Sequence, residues 1–124
     1  LEQCTEMVGW VNGEKKEELL KKSQLFVLPS YNEGLPMAIL EAMSYGIPVV
    51  STDVGSISEV VKNYKTGFLI EPGKRDEIAK GIINLINLEK VWKKQSKACK
   101  ELICAKFNEK DLLKHINELY VDIL

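Results

Sequence analysis

Three short runs in the chain are built on consecutive apolar residues: Leu25-Phe26-Val27-Leu28, Pro48-Val49-Val50 with Ser51-Thr52 at its end, and Gly67 to Glu71 around Phe68-Leu69-Ile70. Successive side chains of a strand point to opposite faces, so a strand apolar at every position must be covered on both sides. That is the situation of a parallel sheet packed between helices. The intervening segments carry helical spacing. Glu14 to Ser23 reads as a charged helix with Leu19 and Leu20 turned inward, and Leu35 to Tyr45 as a helix with Leu35, Ala38, Ile39 and Ala42 on one face. Gly46 supplies the stop of the latter. Ser56 to Tyr64 reads as a third helix, opened by Ser56-Ile57-Ser58-Glu59 in the form of a capping box. Arg75 to Leu88 follows, with Ile78, Ile82, Leu85 and Ile86 on one face. A further apolar run, Met7 to Val11, ends at the turn signal Asn12-Gly13 and supplies another strand. Strands alternating with helices through short turns predict an α/β fold, a Rossmann-like parallel sheet of about four strands with flanking helices. The sheet core falls at about 6–88, and helical pattern alone fills about 90–124. There Asn108 can cap a last helix burying Leu112, Leu113, Ile116, Leu119 and Ile123.

Composition narrows the function classes. A chain of 124 residues suits one domain and buries about two-thirds of its unfolded surface. A net charge of −1 gives no basic excess for nucleic acid. No apolar run reaches the roughly 18 residues of a membrane span. Cys4, Cys99 and Cys104 are odd in number and lack metal spacing, which reads as reduced thiols in a cytoplasmic protein. The chain opens on Leu1 rather than methionine, which reads as a piece of a longer protein.

The stretch EGLPMAILE sets an acid at each end of an apolar segment, Glu33 and Glu41. In an open parallel sheet, ligands bind beyond the carboxyl ends of the strands, and Leu28-Pro29-Ser30 is such an end. Glu33-Gly34-Leu35-Pro36 is then the loop entering the next helix, where a proline suits the first turn. The amides of Gly34, Leu35, Met37 and Ala38 would leave a positive helix end suited to phosphate, and carboxylates accept hydrogen bonds from sugar hydroxyls. A nucleotide-sugar satisfies both needs. The plain alternative is that Glu33 complements the helix dipole and Glu41 is a solvated residue on an amphipathic face.

The longer stretch LFVLPSYNEGLPMAILEAMSYGIPVVSTDVGSISEVVKNYKTGFLIEPG resembles the C-terminal half of retaining glycosyltransferases of the GT-B fold, family 4, also called group 1. The likeness runs through PS-x2-EG, the E-x7-E pair, LEAM-x2-G-x-PVV, the acid-containing turn that follows, and TGFLI-x-PG. It covers about Val8 to Leu88. The resemblance implies that Glu33 lies at the transferred sugar and its departing phosphate, in the catalytic position. It implies that Glu41 accepts from the ribose hydroxyls, that Gly34, Leu35, Pro36 and Met37 face the donor with their backbone, and that Met37 and Ala38 begin the helix beside the phosphates. Ser30 could touch a phosphate, or simply be a polar strand end. Trp10 and Val11 follow the strand whose end meets the nucleobase; Trp10 could stack there, although a core or edge aromatic is the simpler expectation. The implied reaction retains anomeric configuration and needs no metal or other cofactor, and the nucleotide-sugar is the substrate.

The resemblance also marks what this chain lacks. A complete enzyme has two Rossmann-like domains with the site between them. The N-terminal acceptor domain is absent here, and so is the basic pair that grips the diphosphate. Lys15, Lys16, Lys21 and Lys22 read as solvated residues of a charged helix rather than substitutes. His115 reads as a surface residue. The expectation is an inactive fragment of a transferase that needs its missing domain, with self-association possible through an open sheet edge and any membrane contact made by the parent enzyme. The alternatives are a separately encoded donor-binding subunit or a non-enzymatic scaffold with a partner chain.

Overall fold

A computed structural model describes residues 2–87 and 89–107. The expected last helix and His115 lie outside the described residues. Within them the order is α1 (Gly13–Lys22), β1 (Phe26–Leu28), α2 (Met37–Ser44), β2 (Val49–Thr52), β3 (Gly67–Ile70), α3 (Arg75–Ile86) and α4 (Glu89–Lys106). The strands form one parallel sheet in the order β1-β2-β3. Phe26 stands opposite Val49, and Val49 opposite Gly67.

Both faces of β2 and β3 are covered, as their apolar residues require, whereas Val27 of the edge strand β1 is left exposed. Val49 turns to one side and packs with Ile39, Met43, Ile57, Val60, Val61 and Cys99, beneath α2 and α4. Val50 turns to the other and packs with Ile70 and Leu85, flanked by Ile78 and Ile82 of α3. All four residues of β2 are buried, so the middle strand carries the core on both sides. α1 buries no residue fully. Its surface is laced by the pairs Lys21–Glu17 and Lys22–Glu18 one turn apart, and Lys21 holds the Glu17 carboxyl below its ordinary value.

Three expectations need correction. Three strands, not four, are present among the described residues: Met7–Val11 forms none. Its backbone turns at Gly9, whose φ of +66° breaks an extended run, and Met7 and Trp10 are both 92% exposed. Trp10 is therefore neither a core nor an edge aromatic.

The second correction concerns Ser56 to Tyr64, where only Ile57–Glu59 turns helically, as a single 3₁₀ turn. Ser56 makes no side-chain cap there. The cause is Thr66, which is 1% exposed. Its hydroxyl donates to the Val60 carbonyl and accepts from the Lys62 amide, both at 2.8 Å. A side chain has taken the groups a longer helix would have paired. Tyr64 then adopts φ 63°, ending any helical path.

The third correction is smaller. α2 begins at Met37 rather than Leu35, because a residue before proline is sterically kept out of the helical region.

The sheet's two edges differ. Asn63 accepts the Leu69 amide through its side-chain oxygen at 2.7 Å, which occupies the outer side of β3. Among the described residues β1 has a strand on one side only.

Two outcomes follow from this packing. Thr66→Val keeps the shape but orphans two backbone groups, and should cost about 2–3 kcal/mol in a denaturant melt. All three cysteines are free, with Cys4 and Cys104 exposed and Cys99 buried. Burial pushes the Cys99 thiol up to about 12, so it stays protonated at neutral pH. Thiol labelling of the folded chain should show two fast sites and one that reacts only on unfolding.

Candidate functional site

The carboxyl ends of β1 and β2 are fastened together by hydroxyls. Ser51 Oγ donates to the Leu28 carbonyl at 2.8 Å, and Thr52 Oγ1 donates to the Ser30 carbonyl. These are the two polar residues of an otherwise aliphatic strand, and both are buried. They fix Ser30, whose own hydroxyl donates to Glu33 Oε1 at 2.7 Å. The Glu33 carboxylate is thus aimed by a chain of contacts that starts in the middle strand.

The loop is also held from behind. The Ser56 amide donates to the Gly34 carbonyl at 3.0 Å. Gly55, at φ +55°, lies so close that a Cβ there would stand 2.0 Å from the Glu33 carbonyl oxygen and 2.6 Å from that of Gly34. Only glycine fits both the conformation and the gap. Gly34 is the opposite case: a Cβ there would meet nothing within 4 Å. The loop is anchored on its inner side and open on its outer side.

Pro36 stands just ahead of α2 with extended backbone (φ −70°, ψ 125°) and caps it with no side chain. The first amide bonded back within the turn is that of Ile39, to the Pro36 carbonyl. The Met37 and Ala38 amides belong to the first turn, where an α-helix has no internal acceptor to offer. Both residues are exposed, Met37 at 73%, while Leu35 and Pro36 are half-buried. No acid occupies the first turn, so the positive end of α2 faces solvent beside Gly34.

Glu41 lies one turn along α2. Its carboxylate is paired with Lys16 of α1 at 2.7 Å, both side chains about two-fifths exposed. Lys16 is therefore not the solvated residue expected of that helix. Met37 and Glu41, four residues apart on one face, line an open groove of about 640 Å³ whose far wall is Ile103 of α4 and Phe107 just past its end. Glu33 and Glu41 are thus held by different supports, a loop and a helix. Val11, half-buried, sits two residues before α1. Among the described residues no three His, Cys, Asp or Glu side chains gather as a metal site, and no helix is long and apolar enough to cross a membrane.

Residues 1–102 match the model of a protein family described as glycosyl transferases group 1. The chain belongs to that family. It is 36% identical over 118 residues to the UDP-Gal:alpha-D-GlcNAc-diphosphoundecaprenol alpha-1,3-galactosyltransferase of Escherichia coli, covering 95% of this chain and 30% of that protein. It is 32% identical to the N-acetyl-alpha-D-glucosaminyl L-malate synthase of Bacillus anthracis, covering 86% of this chain and 28% of that one. Among solved structures, the sucrose-phosphate synthase of Thermosynechococcus elongatus superposes with a TM-score of 0.85 at 26% identity, over 94% of this chain and 29% of that one. The chain therefore spans under a third of the curated relatives it matches, and its likeness to the solved structures carries the α/β fold of this group.

Sequence reasoning found the acids and the loop but not their supports. Gly55, Ser51, Thr52 and Lys16 set the geometry. The signal for three of them was available: two hydroxyls at the end of an aliphatic strand, and a glycine in the turn that follows. Gly55→Ala should push the Glu33–Gly34 loop off its seat and cost roughly 2–3 kcal/mol. Large amide shifts centred on residues 33 to 38 in an NMR spectrum would report it, and unchanged shifts there would refute this account of the loop.

Proposed function

We propose that this chain binds the donor of a sugar transfer, a nucleotide-diphosphate sugar, as the donor-binding part of a retaining glycosyltransferase. The observation that carries the reading is the open, acid-free start of α2, with unpaired amides beside Gly34 and a fixed carboxylate on either flank. A diphosphate suits the amides of Met37 and Ala38, because their N–H groups and the helix dipole favour negative charge. Sugar hydroxyls suit Glu33, and ribose hydroxyls suit Glu41, as acceptors. Ser30 then acts behind Glu33 rather than on the phosphate. The E. coli relative's name includes UDP-Gal, which makes UDP the first nucleotide to try.

In this reading the protein accelerates transfer by holding the donor in position and stabilising charge on the departing diphosphate. Neither acid needs to serve as a general base, and no metal takes part. The acceptor and further diphosphate contacts come from a second domain. The free edge of β1 and the apolar groove beside α4 are surfaces such a domain, or a second copy, could cover. The reaction is placed on the cytoplasmic side, with the 124-residue chain inactive alone; sugar transfer by that chain would refute the last point.

Calorimetry with UDP, GDP and UDP-sugars tests the reading. Glu41→Ala should weaken UDP binding about tenfold, the loss of a charge-assisted hydrogen bond. Glu33→Ala should leave UDP binding unchanged and abolish the difference between UDP and UDP-sugar. No binding of any of these at millimolar concentration would sink the proposal.

A further inference from the structure

We infer that Lys16 is a positioning residue for the donor site: it fixes the Glu41 carboxylate so that one oxygen is left to receive the nucleotide's ribose hydroxyls. The inference rests on the donor-site reading given above.

Glu41 stands on the outer surface of α2 with its side chain partly in water. A long acid in that position moves among several rotamers, and binding must then freeze it. Lys16 takes away much of that freedom. Its ammonium reaches across from α1 to Glu41 Oε1 at 2.7 Å. The other lysine–glutamate pairs of the described residues lie within one helix or one turn, three or four residues apart. The Lys16–Glu41 pair joins two elements 25 positions apart in sequence. Its approach through Oε1 leaves Oε2 without a protein partner among the described residues. A carboxylate oxygen held still and unpaired is the acceptor a ribose diol needs.

The pair has a second effect on the same site. Glu33 and Glu41 flank a helix end proposed to take a diphosphate, and two further negative charges there would oppose the ligand. Lys16 neutralises one of them locally without occupying the helix end, where the amides of Met37 and Ala38 stay open. α1 buries no residue fully, and Glu17 of the same helix also meets Tyr45 at the end of α2, so Lys16–Glu41 is one of the polar contacts that seat α1 against α2.

The test compares UDP with 2′,3′-dideoxy-UDP on wild type, Lys16→Met, Lys16→Arg and, as a control on the Lys21–Glu17 pair of the same helix, Lys21→Ala. Lys16→Met should weaken UDP roughly three- to tenfold, the range for losing a pre-ordered side chain, and weaken dideoxy-UDP clearly less, by the charge effect alone. Lys16→Arg should restore most of the loss, and Lys21→Ala should change neither ligand. Equal weakening of both nucleotides by Lys16→Met would mean a general charge effect and overturn the positioning role. UDP binding that Glu41→Ala weakens and Lys16→Met does not would overturn this inference alone. No UDP binding by the wild-type chain would overturn the donor-site reading and this role with it.

Discussion

The middle strand β2 governs the molecule. It has a parallel neighbour on each side and is buried along its whole length. Its first two residues divide the core between them, Val49 under α2 and α4 and Val50 under α3. Its last two residues do something a valine could not. Ser51 and Thr52 present hydroxyls to carbonyls of the adjoining chain, carrying the order of the sheet past the end of β1. Buried hydroxyls are retained only where they find partners, and here the partners are the groups that lead into the Glu33–Pro36 loop.

From that support the two acids receive different treatment. Glu33 accepts from a neutral hydroxyl three residues away and is directed by that short local bond. Glu41 is met by a cation from another helix. A half-exposed ion pair of this kind adds little to stability, and its value lies in orientation. Between them stands the start of α2, where the partial charge of the helix is positive.

The fold class was legible because burial on both faces leaves a plain mark: Val49 and Val50 are adjacent, apolar and both buried, on opposite faces of the sheet. The acids and the loop were legible from the break that Gly34 and Pro36 put between strand and helix. What failed had non-local causes. Ser56-Ile57-Ser58-Glu59 has the letters of a capped helix, yet Thr66, farther along, competes for its backbone. Met7–Val11 has the composition of a strand, but strand formation needs a neighbour, and composition does not say whether one is at hand. Lys16 looked like its neighbours Lys15 and Lys21 because nothing local distinguishes the side of α1 that meets α2. Contacts that join distant positions are the part a single sequence hides best.

The two glycines of the ligand edge have opposite tolerances. Gly55 is walled in by the carbonyls of Glu33 and Gly34, whereas Gly34 looks onto empty space. New side chains can therefore be added at Gly34, or exchanged at exposed Met37, without disturbing the packing that seats the loop. A family built on this frame can drift in what it recognises while its architecture stays fixed. Its chemistry of recognition is written on the outer rim of the loop and its foldability on the inner one, and selection can act on the two separately.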